Sequence, residues 1–392
     1  MTTLGVYLEV PFCRTKCTYC NFSSNVFPRS LLQPYANAVS QEILYARDLY
    51  RRSELTPAVL DLLVDTVYLG GGTPSLLDDE LLAMILAALH GSLQFCREQE
   101  VTLEASPASV TPEKALAWRR LGINRLSLGV QSLNDTELRA VGRLDRRADI
   151  IAAVDAARQS GFANLSLDLI VGLPGQSEAS WTTTLDAAAR LEPQHVSLYM
   201  LEIDDGSRLG REALAGGARY GARNLPEDDS IADWYQIAVE RLAALGFEQY
   251  EISNFARSGF SSRHNLKYWT HQPYVGFGAG AHSFDGRARW ANVDSPEAYS
   301  QALAGGSLAV AYCHRLSQEE LLEEEFFLGL RMRAGVEFES LRARYGEWAA
   351  ERYESTIERF AGLGLLRRID GRVRLTPAAL PVANEVLAEF VG

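Results

Sequence analysis

Cysteine is scarce in this chain, since five cysteines serve 392 residues. Disulfide frameworks belong to short secreted chains that are dense in cysteine, so a fold held together by disulfide bonds is not indicated. Long apolar runs are also lacking, because no stretch approaches the roughly 20 residues that a membrane-spanning helix needs. No basic, apolar leader opens the sequence, and we therefore expect a cytoplasmic protein.

Positive charge is in short supply as well. Lysine and arginine number 38 against 50 aspartates and glutamates, which gives a net charge of −12. Proteins that bind nucleic acids non-specifically need many cations to displace counterions from phosphate, so we expect no nucleic-acid partner. The chain also lacks the G-x-x-x-x-G-K-[ST] pattern of a phosphate loop, and binding of nucleoside triphosphates has no support.

Three of the five cysteines nevertheless lie within eight residues, at Cys13, Cys17 and Cys20. Thiolates suit zinc and iron-sulfur clusters, and intervals of four and three residues let one short loop surround a compact centre. A structural zinc site usually has four protein ligands from two paired motifs, but no second Cys-x-x-Cys is present. We interpret Cys96, at the end of an apolar helical pattern, and Cys313 as packed thiols. Three ligands favour a [4Fe-4S] cluster with one iron open to a small molecule, with zinc as the alternative.

The first two hundred residues alternate short β-branched or aromatic runs with longer helical patterns, which is typical of repeated βα units. We predict a parallel α/β barrel, with polar residues of interest just after the strand ends, where such folds place their sites. The predicted strands are residues 5–10, 66–69, 101–104, 125–128, 166–170 and 196–201. Predicted helices between them include residues 30–49, 78–89, 149–159 and 181–191.

The chain changes character after a stretch rich in glycine and alanine at 302–309. We therefore predict two domains, residues 1–300 and 301–392, the second being helix-rich. Asp370 and Gly371 between short apolar runs predict a hairpin, and a helix over 377–390 gives this domain a winged-helix-like outline. Residues 316–392 hold ten arginines, no lysine and fourteen acids, so we expect a lid or partner-docking domain rather than a DNA-binding surface. We interpret the acidic run at 323–325 as a solvated helix face.

Six segments recur in order in one known group of proteins: YLEVPFCRTKCTYCNF (7–22), GGGTPS (70–75), EASP (104–107), GVQS (129–132), DLIVGLPG (168–175) and HNLKYW (264–269). The Cys-x3-Cys-x2-Cys loop after a first strand resembles the signature of the radical S-adenosylmethionine (SAM) superfamily. Together the segments resemble the oxygen-independent coproporphyrinogen III oxidase group, whose relatives include the HemW heme chaperones. The resemblance covers nearly the whole chain, and it implies a partial (β/α)6 radical SAM barrel that binds a [4Fe-4S] cluster and SAM.

The resemblance also implies particular ligands. Cys13, Cys17 and Cys20 correspond to the cluster ligands, and Glu104 to a carboxylate that meets the ammonium of SAM. On the residues alone, a glycine triplet is more often a turn than a binding loop, and a lone charged residue is more often a surface charge. Ordered agreement with the motifs favours the binding role. The implied SAM contacts are Tyr7, Tyr19, Gly71, Gly72, Thr73, Glu104, Gln131, Arg143 and Asp168.

Three positions separate this chain from the oxidases of the group. Phe22 stands where the oxidases carry a further cysteine, and the first strand begins sooner than in those enzymes, which have a longer leading segment. Both features favour the heme chaperones. Glu9 and Asp145 stand where relatives usually carry histidine, which weakens any prediction of porphyrinogen oxidation. Since groups behind the ligands tune a metal site, Glu9 could change the protons or potential of the cluster.

The HNLKYW segment contains a candidate for heme binding. His264 could ligate heme iron, while Tyr268 and Trp269 offer flat apolar surface to a porphyrin. If the segment is helical, His264 and Tyr268 share a face. A lone histidine beside aromatic residues is more often a core residue than a ligand. The motif nevertheless makes His264 the first candidate, with His271 and His282 as lesser ones.

We therefore expect a heme chaperone that binds heme, a [4Fe-4S] cluster and SAM, delivers heme to respiratory hemoproteins, and lacks coproporphyrinogen III dehydrogenase activity. Transient contact with membrane proteins and a homodimer are compatible with this function. The alternative is an oxygen-independent coproporphyrinogen III oxidase. In that enzyme the reduced cluster would transfer an electron to SAM, and the resulting 5′-deoxyadenosyl radical would abstract hydrogen from the propionate side chains of coproporphyrinogen III. The cofactor would carry the chemistry and the protein would orient it.

Overall fold

The computed structural model describes residues 2–53 and 55–392. Parallel strands and the helices between them form the first part of the chain, and the predicted partial (β/α)6 barrel is confirmed. The strands are β1 (Leu4–Val10), β2 (Val64–Gly71), β3 (Phe95–Ala105), β4 (Arg125–Gln131), β5 (Asn164–Val171) and β6 (His195–Met200). The helices are α1 (Leu32–Arg52), α2 (Asp79–Ser92), α3 (Pro112–Arg120), α4 (Asp135–Ala140), α5 (Arg147–Gln159) and α6 (Glu178–Arg190).

Side chains alternate between the two faces of each barrel strand, as the period of two requires. In β4, Leu126, Leu128 and Val130 are fully buried. The intervening Ser127 faces the lumen, where its hydroxyl donates to Asp168 of β5 at 3.1 Å. The lumen is therefore polar, while the apolar residues pack under the helices.

Short strands extend the sheet on both sides of the barrel. Within the described residues the sheet has twelve strands, in the order β12 (Val310–Arg315), β11 (Ala288–Asn292), β10 (His282–Phe284), β9 (Tyr274–Phe277), β1, β2, β3, β4, β5, β6, β8 (Asn254–Ala256) and β7 (Glu248–Gln249). β9 runs parallel to β1, while the outer strands on both sides pair antiparallel. The added elements are α7 (Arg208–Leu214), α8 (Asp228–Ala244), β7 (Glu248–Gln249), β8 (Asn254–Ala256), α9 (Arg263–Trp269), β9 (Tyr274–Phe277), β10 (His282–Phe284), β11 (Ala288–Asn292), α10 (Pro296–Ala304) and β12 (Val310–Arg315).

The C-terminal part is helix-rich and has the predicted winged-helix-like outline. Asp370 (φ 50°) and Gly371 (φ 71°) form the tight turn of the predicted hairpin between β14 (Leu366–Ile369) and β15 (Arg372–Leu375). The predicted helix over 377–390 is interrupted between Ala379 and Ala383, where Val382 (φ −113°, ψ 22°) leaves the helical conformation and Pro381 has no N–H to donate to the helix. The elements are α11 (Gln318–Gly329), β13 (Val336–Glu337), α12 (Phe338–Tyr345), α13 (Glu347–Glu351), α14 (Glu354–Gly362), β14 (Leu366–Ile369), β15 (Arg372–Leu375) and α15 (Ala383–Ala388).

The boundary predicted at residue 300 falls inside α10. β12 pairs with β11 in the large sheet, so the helix-rich part begins after Arg315. The division into two domains stays a prediction. No helix in the described residues is long and apolar enough to span a membrane.

The acidic run of α11 is not a solvated face, so that prediction is wrong. Glu324 accepts hydrogen bonds from Arg289 at 2.8 Å and from His271 at 2.7 Å. Glu325 is only 8% exposed and pairs with Arg344 and with the other ring nitrogen of His271. Burial lowers the pKa of His271, but hydrogen bonds to the two carboxylates outweigh it, and the pKa is raised. These contacts join the helix-rich part to the extended sheet.

Two cysteines outside the loop also differ from expectation. Cys96 is half-buried on β3 rather than at a helix end, because α2 already stops at Ser92. Cys313 lies on the edge strand β12 and is exposed, so it is not a packed thiol.

Candidate functional site

A cavity of about 460 Å³ opens at the carboxyl ends of the barrel strands. Parallel strands bring their carboxyl ends to one edge, which is why residues distant in sequence meet there. Most of the predicted cluster and SAM residues line this cavity. They are Cys13, Cys17, Tyr19, Cys20, Gly71, Gly72, Thr73, Glu104, Gln131, Arg143 and Asp168.

The cysteine loop connects β1 to α1 and is anchored at several points. The backbone N–H of Cys13 donates to the carbonyl of Asn25 at 2.8 Å, and that of Thr18 donates to Val141 at 3.0 Å. Cys13, Cys17 and Cys20 are all half-buried and border the cavity. Burial raises the pKa of the Cys20 thiol. The backbone therefore holds three thiols against one ligand-sized space.

The donor set fits a cluster held by three thiolates. Cys13, Cys17 and Cys20 supply soft sulfur ligands from a single loop. A guanidinium nitrogen of Arg143 lies 4.0 Å from the sulfur of Cys17. At this place the positive charge of the arginine would offset the negative charge of a thiolate. Within the described residues, no group of three histidine, cysteine, aspartate or glutamate side chains is arranged to hold a single metal ion.

The glycine triplet packs directly on the cysteine loop. A Cβ on Gly72 would lie 2.7 Å from the carbonyl oxygen of Phe12, closer than side-chain carbons come in folded proteins. Gly71 has φ 102°, which a residue with a side chain rarely adopts. The N–H of Thr73 donates to the same Phe12 carbonyl at 2.8 Å, and its hydroxyl lies 3.9 Å from the sulfur of Cys13. The glycine triplet thus lets its loop pack closely against the cysteine loop, as a cofactor site shared by the two loops requires.

Two carboxyl groups face the cavity from neighbouring parts of the barrel. Glu104 accepts a hydrogen bond from the hydroxyl of Tyr68 at 2.8 Å. Burial, together with the nearby Asp168, raises the pKa of Glu104 to about 7. Burial also raises the pKa of Asp168, although hydrogen bonds from serine hydroxyls lower it in part. A bound cation such as an ammonium would relieve this cost, so the pair is suited to a positively charged ligand.

Gln131 has φ 67°, which is unusual for a residue with a side chain, and it lies where the register between β4 and β5 shifts. Such conformations persist at binding sites when the surrounding structure enforces them. Sequence reasoning missed Ser127 and Tyr199, which also line the cavity. Ser127 could have been found from its position two residues before Gly129 on the same strand, because residues two apart on a strand face the same side.

Asp145, which stands where relatives usually carry histidine, holds Arg143 in place. Its carboxylate lies 2.7 Å from the guanidinium, and it is 4% exposed. The other oxygen accepts hydrogen bonds from the hydroxyl of Ser106 and the N–H of Ala108, both at 2.8 Å. Asp145 therefore joins the loop after β3 to the arginine that borders the cavity.

Glu9 lies below the glycine loop rather than on the cavity wall. Its carboxyl group accepts a hydrogen bond from the hydroxyl of Tyr7 at 3.1 Å. Burial raises the pKa of Glu9 to about 8, so the group is mostly protonated at neutral pH. Tyr7 does not line the cavity, and its ring lies in the lumen, 6.1 Å from that of Tyr68. Tyr7 thus lies apart from the residues that line the cavity, and its contact with SAM stays a prediction.

The structure does not bring the HNLKYW segment to the cavity. The segment is helical, as predicted, and His264 and Tyr268 share a face, with 2.8 Å between Nε2 and the tyrosine hydroxyl. Nδ1 of His264 lies 2.9 Å from the hydroxyl of Thr66, which is near the start of β2 and so at the opposite end of the lumen. His264 is 1% exposed, and burial lowers its pKa to about 3. With both ring nitrogens occupied, His264 cannot ligate iron in this conformation.

Tyr268 and Trp269 border a second, smaller cavity of about 170 Å³, together with His271 and Phe284. The rings of His271 and Phe284 are stacked with centroids 4.4 Å apart. The aromatic residues of the segment therefore pack among side chains of the extended sheet and do not reach the thiols.

Comparison with known proteins gives matches along nearly the whole chain. The model of the Radical SAM superfamily matches residues 9–188, and that of the HemN C-terminal domain matches residues 316–382. The heme chaperone HemW of Bacillus subtilis is 33% identical over 389 residues, covering 99% of both chains. HemW of Mycobacterium tuberculosis is 38% identical, covering 99% of this chain and 95% of that protein. Among solved structures, the coproporphyrinogen III oxidase HemN of Escherichia coli, described as a radical SAM enzyme, superposes with a TM-score of 0.84 at 21% identity. It covers 99% of this chain and 90% of that one, and shows a shared fold.

Proposed function

The chain belongs to the HemW family of heme chaperones, and from that premise we propose that it binds heme, a [4Fe-4S] cluster and SAM, and delivers heme to respiratory hemoproteins. One observation carries the proposal. Phe22, at the position where the oxidases of the group carry a further cysteine, is 67% exposed and borders the cavity beside the thiols. An exposed aromatic ring at this place suits contact with a flat apolar ligand.

Cys13, Cys17 and Cys20 would hold the cluster in this proposal. The cluster, when bound, supplies an electron to SAM, and the protein contributes position and charge. Glu104 would accept the ammonium of SAM, since its carboxyl borders the cavity and a bound cation would relieve the cost of ionising it beside Asp168. The tight contact between the Gly72 loop and the cysteine loop would set the distance between SAM and cluster.

The test is an anaerobic comparison on reconstituted protein. Ferric heme is titrated and followed by its Soret absorbance, and coproporphyrinogen III is then supplied with SAM and a reductant. We expect stoichiometric heme binding, transfer of heme to a heme-free respiratory cytochrome, and no protoporphyrinogen. Formation of protoporphyrinogen with weak heme binding would overturn the proposal and identify a decarboxylating oxidase.

Phe22→Cys provides a matched variant, because it restores the cysteine of the oxidases without altering the three thiols. We expect weaker heme binding from this variant and still no porphyrinogen product. A cytoplasmic location, transient contact with membrane proteins and a homodimer stay predictions.

A further inference from the structure

Histidine is a usual ligand of heme iron, and ligation requires a free ring nitrogen that the iron can reach. The chain has six histidines. Three of them, His195, His264 and His271, have buried side chains, and both ring nitrogens of each lie within hydrogen-bond distance of a partner. His314 is exposed, but its Nε2 lies 2.7 Å from Glu320. Four of the six are therefore engaged already.

Of the other two histidines, His90 lies at the wrong end of the barrel. It is in the last turn of α2, which runs back toward the amino ends of the strands, and its ring packs on Phe95 with centroids 4.3 Å apart. His282 is exposed at the start of β10. Its Nδ1 lies 3.3 Å from the hydroxyl of Tyr312, and its Nε2 has no hydrogen-bond partner in the part of the chain that the structure describes.

This arrangement is the one in which a histidine binds a metal. When a neighbouring oxygen accepts the proton of Nδ1, the ring is fixed and the lone pair of Nε2 is free. Burial, with a contribution from Arg289, lowers the pKa of His282 despite the nearby Asp294, which favours the neutral ring. Neutral imidazole is the form that ligates iron.

His282 lies beside the cysteine loop. It follows a turn at 278–281 in which a Cβ on Gly280 would be 3.9 Å from the Cβ of Ser23. On either side of Ser23, the side chains of Phe22 and Val26 are 67% and 55% exposed. The turn that precedes His282 therefore packs on the cysteine loop, which borders the cavity and carries two exposed apolar side chains.

A buried network holds this turn in one position. Glu42 of α1 accepts hydrogen bonds from the N–H of Gly278 at 2.9 Å, from the amide of Asn292 at 2.8 Å and from the hydroxyl of Tyr299 at 2.6 Å. The N–H of Ala279 donates to a tyrosine hydroxyl of the same helix at 3.0 Å. Since every member of the network has a partner, the turn is rigid and His282 is presented in a fixed place.

From these observations we infer that Nε2 of His282, rather than His264, ligates the heme iron, with Phe22 and Val26 against the porphyrin face. Tyr312 acts as a positioning residue through Nδ1. The inference rests on the proposed function, because it names the ligand in a protein that binds heme.

The test is a titration of reconstituted protein with ferric heme, followed by Soret absorbance. His282→Ala is expected to lose the spectrum of histidine-ligated heme and to bind heme at least about tenfold more weakly. Adding imidazole should restore the ligated spectrum in this variant, because free imidazole can fill the space left by the ring. The matched control is His314→Ala, which removes an exposed histidine from a nearby strand of the same sheet and should bind heme as the unmodified protein does.

The outcomes separate the inference from the proposed function. If the unmodified protein binds no heme, the proposed function fails and the inference fails with it. If the unmodified protein binds heme and His282→Ala gives the same spectrum and affinity, the inference alone is wrong. Loss of the ligated spectrum in His264→Ala, with a normal circular dichroism spectrum and no effect of His282→Ala, would assign the iron to the HNLKYW segment after an opening of α9.

Discussion

Replacing Glu104 by glutamine should stabilise the cofactor-free protein above neutral pH and weaken SAM binding at the same time. The Glu104 carboxyl accepts a hydrogen bond from Tyr68 at 2.8 Å and lies near Asp168. Burial and Asp168 raise its pKa from 4.5 to about 7. Glutamine keeps the shape and the accepting oxygen but carries no charge, so the variant removes the cost of ionising this buried group.

The magnitude follows from the linkage between protonation and folding. A shift from 4.5 to about 7, at about 1.4 kcal/mol per pKa unit, makes the ionised group cost the folded state about 3 kcal/mol. Because the folded pKa is raised, the folded protein binds more protons than the unfolded chain between these two values. Its free energy of unfolding therefore falls as pH rises from 4.5 to about 7, and changes no further above that range through Glu104.

The assay is urea unfolding of the cofactor-free protein and of Glu104→Gln, followed by circular dichroism from about pH 5 to about pH 8. The two should have nearly equal free energies of unfolding near the lower limit, and the variant should gain up to about 3 kcal/mol near the upper one. The control is Glu98→Gln, the same substitution at an exposed position of the same strand, which should show no such trend. A difference that stays flat across this range, or a variant less stable at the upper limit, would refute the reasoning.

Three further predictions concern the loops around the cavity. Cys17→Ser should abolish cluster absorbance and bound iron while leaving the barrel folded; retained iron and sulfide would contradict the cluster assignment. Gly72→Ala should destabilise the protein by about 1–3 kcal/mol and weaken SAM binding, because its Cβ would meet the backbone of the cysteine loop, whereas Gly91→Ala, in open space, should do neither. Asp145→Asn should cost about 3 kcal/mol in urea unfolding and weaken SAM binding in equilibrium dialysis, since it breaks the 2.7 Å ion pair that fixes Arg143. Unchanged SAM affinity would show that this ion pair does not position the arginine.

The barrel and most of its site could be predicted because both depend on local pattern. Alternation of strands and helices sets the fold, and the carboxyl ends of parallel strands must share an edge. The thiols, the glycine triplet and Glu104 each lie at such an end, so their meeting follows from the order of elements. All six predicted strands overlap the observed ones for the same reason, although β3 begins six residues earlier and β4 ends three residues later than predicted.

Contacts between distant segments could not be predicted in this way. The acidic run of α11 has the pattern of a solvated face, and only the folded chain shows that His271, more than fifty residues away, lies between Glu324 and Glu325. Strands of two to six residues outside the barrel carry too little periodicity to identify. For that reason β12 could not be assigned to the large sheet, and Cys313 could not be identified as exposed.

The two histidines illustrate the same limit at the level of function. The aromatic neighbours of His264 in sequence suggest a porphyrin surface, but in the fold Tyr268 occupies Nε2, Thr66 occupies Nδ1, and the rings of Tyr68 and Tyr268 pack against the imidazole. His282 has no such motif beside it, yet the pairing of β10, β11 and β12 places Tyr312 next to its ring. Whether a histidine nitrogen can reach a metal depends on the tertiary packing around it, and a sequence motif does not predict that packing.

The two departures from the group, Glu9 and Asp145, lie at different places around the cavity and make different contacts. Asp145 accepts hydrogen bonds from Ser106 and Ala108 and pairs with the guanidinium of Arg143. Glu9 has a pKa of about 8, so at neutral pH it is mostly a neutral acid beneath the glycine loop. Neither group borders the cavity in the way that a reacting imidazole would need to do. Both carboxyl groups therefore support the lining of the cavity from behind, Asp145 through Arg143 and Glu9 beneath the glycine loop.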